Sequence, residues 1–162
     1  MVTIRMAVPA DSDAVWAILE PVIRAGETYC LPRDLSRNEA LAFWFASGHE
    51  VFVAADDQGH VVGTYFLRAN QKGGGAHVAN CGYVTAGPAS GRGVARAMCR
   101  HSLDYAASRG FRAMQFNFVV ANNERAVRLW QSFGFEIAGR LPHAFLHPLA
   151  GFTDAYVMYR AL

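Results

Sequence analysis

The residues best suited to chemistry lie in a glycine-rich stretch, Gly91-Arg92-Gly93-Val94-Ala95. An apolar run ends just before it at Val84, and a helical pattern begins near Val94. A turn between strand and helix exposes backbone N–H groups at a helix N-terminus, where the helix dipole favours a negative ligand. Such a turn can hold a pyrophosphate. Glycines also occur in turns merely because the chain must bend, so this motif alone leaves both interpretations open.

Two helices and a connecting flap are predicted in the first 50 residues. Pro9-Ala10-Asp11-Ser12 is a helix start signal, and Pro21 is expected to kink or end that helix. Ser36 and Glu39 form a capping-box pattern for a second helix. The segment between the helices, residues 26–35, is a candidate flap.

The rest of the chain alternates strands and helices. A hairpin of two strands is followed by a strand, the glycine turn and a β-α-β-α-β order. The predicted strands are 2–6, 50–55, 60–69, 77–84, 112–120, 135–141 and 153–161, and the two later helices end near Ser108 and Phe133. A loop carrying Pro142 and Pro148 is expected before the last strand.

This order predicts an α+β fold with three layers, α/β/α. Antiparallel hairpins first and alternating elements afterwards imply a mixed, mostly antiparallel sheet of about six to seven strands, with about four helices on its two faces. No repeat or linker divides the chain, so residues 1–162 are expected to form a single domain.

Composition narrows the classes of function. The net charge of +2 comes from scattered basic residues, so no basic stripe indicates nucleic acid as a partner. The three cysteines form no Cys-x-x-Cys pair, which favours a reducing compartment. No apolar run approaches the roughly 18 residues of a membrane span, and the N-terminus does not resemble a signal peptide. We expect a cytoplasmic protein with no membrane partner.

Two motifs together resemble the Gcn5-related N-acetyltransferase superfamily. The run from Ser90 to Ala95 is similar to the Arg/Gln-x-x-Gly-x-Gly/Ala signature of that family, and the pattern from Asn123 to Phe135 is similar to its second motif, which usually ends Leu-Tyr-x-x-x-Gly-Phe. The tail around Pro142-His143 and Phe152-Thr153 is similar to a subgroup that acts on free amino acids and small amines, among them the fungal proline-analogue acetyltransferases.

The resemblance implies an acetyl-CoA cleft where the strands at 77–84 and 112–120 splay apart. The turn would bind the pyrophosphate through backbone N–H groups, and pantetheine would pair with the strand near Val84. The residues expected at the cosubstrate are Val84, Ser90, Gly91, Arg92, Gly93, Val94, Ala95, Arg96, Asn123 and Trp130.

Two of these positions depart from the family pattern. Ser90 stands where Arg or Gln is usual, which removes a long side chain from the phosphate site and leaves the backbone cradle. Trp130 replaces the common Tyr whose hydroxyl protonates the departing thiolate in many relatives. Because an indole N–H does not titrate in this range, Trp130 cannot be a general acid, and we interpret it as a core aromatic.

Asn80 and Asn117 are predicted to form the polar floor of the acceptor site. Asparagine is disfavoured in mid-strand, and burying its amide without partners costs about 1–3 kcal/mol. Alternation places Asn80 on the face of Gly82 and Val84, and Asn117 with Gln115 and Val119. The side chains would orient the amine, hold a water or bind a substrate carboxylate. Each could equally be a satisfied structural amide, and the sequence leaves that alternative open.

Further substrate contacts are expected from Glu27 and Tyr29 on the flap and from His143 in the loop before the last strand. Glu27 is a candidate remote base, although a merely solvated side chain fits equally well. His143 and His147 lie four apart but have no third ligand beside them, so no metal site is predicted.

These features predict an enzyme that moves acetyl from acetyl-CoA to the amine of a small molecule, such as an amino acid, by direct attack in a ternary complex. No Ser-His-Asp or Cys-His nucleophile signature indicates a covalent route. Two alternatives remain: acetylation of a protein N-terminus or lysine, and a noncatalytic acyl-CoA sensor. A homodimer is a family expectation only.

Overall fold

The structure, a computed structural model, describes all residues from 1 to 162. One sheet contains seven strands: β1 (Thr3–Met6), β2 (Glu50–Ala55), β3 (Val61–Ala69), β4 (Val78–Thr85), β5 (Ala113–Val120), β6 (Glu136–His147) and β7 (Gly151–Ala161). Four α-helices accompany it: α1 (Ser12–Ala25), α2 (Arg37–Trp44), α3 (Val94–Ser108) and α4 (Glu124–Ser132). The strand order is β1-β2-β3-β4-β5-β7-β6, and only β4 and β5 pair in parallel. The predicted fold class is confirmed.

Local signals explain where the first two helices begin and end. Ser36 accepts a hydrogen bond from the Glu39 N–H, and the Glu39 carboxylate accepts one from the Ser36 N–H, so the predicted capping box forms. Helix α1 runs four residues past Pro21, where the sequence indicated a kink or an end. Buried Ile18 and Ile23 lie on either side of this proline, and their packing outweighs the one lost backbone bond.

Apolar side chains form one core on each face of the sheet. One cluster joins the sheet to α3 and α4 and includes Met98 and Trp130. The other joins it to α1 and α2 and includes Ile18 and Trp44. Because burial on both faces requires helices on both faces, the molecule has the three layers expected from the order of its elements.

The sheet splits between β4 and β5. Their parallel ladder contains only the pairs Val78–Ala113 and Ala79–Met114, after which the strands diverge. A bulge in β5 between Phe116 and Val119 accompanies the split, and both of these side chains pack in the α3 core. Strict alternation had placed Val119 on the face opposite Phe116, and that expectation is wrong because the bulge inserts an extra residue.

The strand β6 extends to His147, where the sequence predicted a loop around Pro142. β6 is the edge strand, so the missing N–H of this proline does not interrupt the sheet interior. The register shifts between Leu141 and Phe145, and His143 takes a positive φ of 53° within this bulge. The turn that carries Pro148 lies between β6 and β7.

Candidate active site

Two cavities lie side by side where β4 and β5 diverge. The first, here named the split cavity, has a volume of about 420 Å³ and is lined by β4, β5 and part of the flap. The second, the turn cavity, measures about 670 Å³ and lies between the glycine turn and α4. Both are lined by Thr28, Tyr29, Tyr83, Asn123, Ala126 and Trp130. The two cavities therefore adjoin at these six residues.

The glycine turn leaves several backbone donors free at the start of α3. Gly93 is the N-cap residue with a φ of 81°, a conformation that favours glycine. The N–H groups of Gly93, Val94 and Ala95 donate to no acceptor within the chain. Free N–H groups at a helix N-terminus suit a phosphate group, so the turn cavity fits the predicted cosubstrate.

Most residues predicted to contact the cosubstrate do line the turn cavity. The lining set contains Val84, Ser90, Gly91, Gly93, Val94, Ala95, Arg96, Asn123 and Trp130. Arg92 does not line it, and its N–H donates to the Ala89 carbonyl inside the turn. Asn123 caps α4 by accepting a hydrogen bond from the Ala126 N–H at 3.3 Å.

Two arginines of α4, Arg125 and Arg128, line the turn cavity as well, and sequence reasoning missed both. Arg125 lies two residues after Asn123 inside the second family motif. Its side chain crosses to the glycine turn and donates from Nη1 to Ser90 Oγ at 2.9 Å. The motif pattern treats that position as variable, so only the packing of α4 against the turn reveals the contact.

Asn80 and Asn117, which the sequence predicted to form the floor of the acceptor site, both line the split cavity. Asn117 Nδ2 donates to Asn70 Oδ1 at 2.6 Å, and Gln115 Nε2 donates to Asn117 Oδ1 at 2.9 Å. Asn117 is only partly buried and keeps hydrogen-bonding capacity toward the cavity.

Asn80 is tied more firmly into the sheet. Its Nδ2 donates to the Gln115 carbonyl at 3.0 Å, which bridges β4 and β5 just beyond the point where their ladder ends. Its Oδ1 accepts from Arg68 Nε at 3.2 Å. Asn80 is thus a structural amide with its hydrogen bonds made within the sheet, and it also lines the cavity; its role at the acceptor stays a prediction.

Arg68 is the only charged side chain that lines the split cavity. It stands near the end of β3 and forms no ion pair with any carboxylate. No Asp or Glu lines this cavity, so the only formal charge on its wall is the positive charge of Arg68. A guanidinium without a carboxylate partner at the floor of a cavity favours an anionic group on the ligand.

The remaining wall of the split cavity is aromatic. It contains Tyr29, Phe43, Phe66, Tyr83, Phe116, Phe118 and Trp130. Phe66 packs edge-on against Trp44 with centroids 4.9 Å apart, which fixes this wall to the α2 core. Aromatic walls with a small polar floor are typical of sites for small organic ligands.

Tyr29 closes the flap over the junction of the two cavities. Its hydroxyl donates to the Tyr83 carbonyl of β4 at 2.9 Å. Gly82 permits this approach, because a Cβ there would lie 3.1 Å from the Tyr29 hydroxyl and 2.5 Å from the Phe66 ring. Burial raises the pKa of Tyr29, so its hydroxyl keeps its proton at neutral pH.

Glu27 and His143, the other two predicted substrate residues, line neither cavity. Glu27 is exposed on the flap, two residues before Tyr29. His143 is exposed on the bulge of β6, where its backbone N–H donates to Asp154 Oδ1. The structure brings Tyr29 to the cavities and leaves these two residues outside them.

Two thiols line the split cavity, and neither is activated. Burial raises the pKa of both Cys81 and the flap residue Cys30. A nucleophilic cysteine needs the opposite, a lowered pKa that supplies thiolate near neutral pH. Neither cysteine has the environment of an acyl carrier.

Trp130 packs between the two cavities as part of the α3 core. It is 8% exposed, and its ring lies 5.0 Å from those of Tyr83 and Phe116. We expect Trp130→Phe to lose about 1–2 kcal/mol of stability, because the smaller ring leaves part of this space unfilled. The variant should show a clearly lower Tm and a kcat close to that of the native protein.

A matched control for this variant is Trp16→Phe, at a half-buried indole on α1 outside both cavities. Calorimetric unfolding and steady-state kinetics on both variants separate packing from chemistry. A large fall in kcat at unchanged Tm for Trp130→Phe would instead make the indole N–H a functional donor.

The chain is similar in sequence and in fold to known acetyltransferases. Residues 16–135 match the Acetyltransferase (GNAT) family. A GCN5-related N-acetyltransferase from Kribbella flavida is 40% identical, with a TM-score of 0.95 over 99% of this chain and 98% of the other. The N-acetyltransferase aca1 of Schizosaccharomyces pombe is 26% identical over 83% of this chain and 72% of its own. A phosphinothricin acetyltransferase from Sinorhizobium meliloti, solved with AcCoA, shares the fold at 21% identity, with a TM-score of 0.87 over 99% of this chain and 88% of that one.

Proposed function

Because the chain belongs to the GNAT family and is an acetyl-CoA-dependent N-acetyltransferase, we propose that its acceptor is the amine of a small molecule, an amino acid or an analogue. The observation that carries this proposal is the junction of the split cavity and the turn cavity beneath the flap. A cosubstrate seated at the turn would reach the junction from one side, and an amine in the split cavity would reach it from the other.

The flap favours a small acceptor over a protein. Residues 28–31 line the split cavity, and Tyr29 is hydrogen-bonded to β4 across it. A protein N-terminus or lysine needs an open groove on both sides of the acetyl group, and this lid narrows one side. A flap in this position favours compact acceptors.

The charge of the split cavity favours an acceptor that carries a carboxylate. The Nη atoms of Arg68 form no hydrogen bond within the chain, the amide nitrogens of Asn80 and Asn117 each donate one hydrogen within it and keep a second, and no acidic residue lines the cavity. The aromatic wall opposite suits a small apolar side chain. An amino acid combines these two groups with the amine. The predicted likeness to amino-acid acetyltransferases agrees with this chemistry.

Direct attack in a ternary complex is the simplest mechanism for this site. Acetyl-CoA supplies the acetyl group as a thioester. The neutral amine forms the new C–N bond, the C–S bond breaks, and the amine gives up a proton to water because no carboxylate or histidine lines either cavity. The protonated thiols of Cys30 and Cys81 offer no covalent alternative.

The leaving thiolate needs little assistance. A thiol pKa near 8.5 makes CoA a tolerable leaving group at neutral pH. The absence of a tyrosine at position 130 is therefore expected to lower the rate of the chemical step only modestly. The Tyr29 hydroxyl lines both cavities and keeps its proton, but that hydrogen is donated to the Tyr83 carbonyl. The main contribution of the protein is to align amine and thioester.

Thiol release from acetyl-CoA in the presence of an amine panel tests this proposal. We expect small apolar amino acids to be acetylated with a kcat/KM at least tenfold above that of the same compounds without the carboxylate. Arg68→Gln should raise KM for the amino acids and leave the decarboxylated amines unchanged, because only the former contact the guanidinium.

Three other outcomes would contradict the proposal. Turnover of peptides with no turnover of free amino acids would favour the protein acetyltransferase. Binding of acetyl-CoA with no turnover of any amine would favour a noncatalytic sensor. Equal rates for amino acids and their decarboxylated forms would remove the carboxylate site.

Three further points belong to this proposal: that residues 1–162 form a single acetyltransferase domain, that it works in the cytoplasm, and that it assembles as a homodimer. No helix in the structure has the length and hydrophobicity to cross a membrane. The homodimer is proposed on family likeness.

A further inference from the structure

We propose that Arg125 supplies at the pyrophosphate the positive charge that an arginine would supply from position 90, where the family signature has Arg or Gln. Ser90 occupies that position here, so the side chain usual in relatives is missing from the turn. A cation from α4 reaches the same place from the other side of the turn cavity. The inference rests on the pyrophosphate binding at the glycine turn, which is part of the proposed function.

The geometry puts the Arg125 guanidinium directly beside the glycine turn. Nη1 donates to Ser90 Oγ at 2.9 Å. Nη2 lies 3.4 Å from the position that a Cβ would take on Gly91. Both residues of the turn, and Arg125 itself, line the turn cavity. The guanidinium therefore stands next to the free N–H groups that would bind an anion.

Arg125 is the arginine of this cavity whose side chain contacts the glycine turn, through Ser90. Arg128 pairs with Glu124 at 3.1 Å, and Arg96 lies over the Phe133 ring at 5.4 Å from its centroid. Arg125 has no carboxylate partner within the chain. A guanidinium with unused N–H donors forms strong paired hydrogen bonds to phosphate oxygens.

A purely structural role explains this arrangement less well. The hydrogen bond to Ser90 joins two exposed side chains, and such surface contacts contribute little to stability. Its effect is instead to hold a flexible side chain in one place before the ligand arrives. Pre-ordering reduces the entropy cost of binding, which is the benefit that a phosphate site needs.

The test is Arg125→Met, which keeps a long helix-forming side chain and removes the charge and the donors. Calorimetry should show binding of CoA and of dephospho-CoA weakened by about 10 to 100-fold, because both ligands carry the pyrophosphate. Inhibition by pantetheine, which has no phosphate, should be unchanged. Adding Ser90→Arg to Arg125→Met should restore most of the lost affinity, since it returns the charge to the usual position.

The matched control is Arg37→Met, which removes an arginine that pairs with Asp13 and lines neither cavity, and which should leave CoA affinity unaltered. Unchanged CoA affinity in folded Arg125→Met would overturn the inference. A loss for CoA without a loss for dephospho-CoA would move Arg125 to the 3′-phosphate, and an equal loss for pantetheine would indicate distortion of the site. Each of these results contradicts the assignment.

These results also separate the inference from the function. If native protein acetylates amino acids while Arg125→Met binds CoA normally, only the role of Arg125 fails. If the native protein acetylates no amine, the proposed function fails whatever the variant shows.

Discussion

Replacing Asn117 by Ala is expected to lower kcat/KM for the acceptor amine by roughly 10 to 1000-fold, with acetyl-CoA affinity little changed. The side chain lies on the floor of the split cavity, held between Gln115 and Asn70. We expect an amide fixed in this way to orient the acceptor or its carboxylate, and such positioning acts mainly in the transition state. Steady-state kinetics with the preferred amino acid and calorimetry with acetyl-CoA measure the two effects separately.

Asn80→Ala should behave differently from Asn117→Ala. Because the Asn80 amide bridges β4 to β5 and bonds Arg68, its removal should lower Tm as well as kcat/KM. Asn38→Ala, at an exposed amide on α2, is the control for loss of an amide in itself. If both Asn80→Ala and Asn117→Ala kept near-native amine kinetics, the acceptor-site assignment would fail and the cosubstrate assignment would stand.

Gly93→Val should weaken acetyl-CoA binding by tenfold or more, which corresponds to about 1.4 kcal/mol. No atom lies within 4 Å of the position of a Cβ on Gly93, so the new side chain enters the open space of the turn cavity and not the core. It would stand in front of the free N–H groups at the start of α3. Calorimetric titration with acetyl-CoA on the folded variant measures the loss.

Backbone strain must be separated from this effect, because Gly93 has a φ of 81° that valine rarely adopts. Gly110 provides the control at the other end of α3. It has a φ of 85° and equally open surroundings, and it lines neither cavity. Gly110→Val should therefore show a similar loss of Tm with unchanged acetyl-CoA affinity. Native affinity in folded Gly93→Val would remove the assignment of the turn.

Much of the fold was predictable because its signals are local. The capping box at Ser36, the glycine turn before α3 and the alternating strands are encoded within a few residues each. Helix and strand periods are properties of the backbone, so apolar residues at those periods indicate the elements directly. The two family motifs, at 90–95 and 123–135, add the cosubstrate side of the site.

The sequence predictions that were wrong also have physical causes. Local preferences predict that Pro21 ends a helix and that Pro142 ends a strand. In the structure, core packing keeps α1 helical beyond Pro21, and Pro142 is tolerated because β6 is an edge strand. The bulge in β5 places Val119 in the α3 core together with Phe116, and the alternation of residues in the sequence does not predict a bulge.

The sequence by itself determined which elements form, their order and the turn that can bind phosphate. Only the tertiary structure decided which side chains complete the site. Tyr29 meets the Tyr83 carbonyl across 54 residues, Asn117 meets Asn70 across 47, and Arg125 meets Ser90 across 35. Arg68 enters the site because β4 separates from β5 just past Ala79. Contacts over such separations depend on how whole layers pack, and local backbone preferences do not predict that packing.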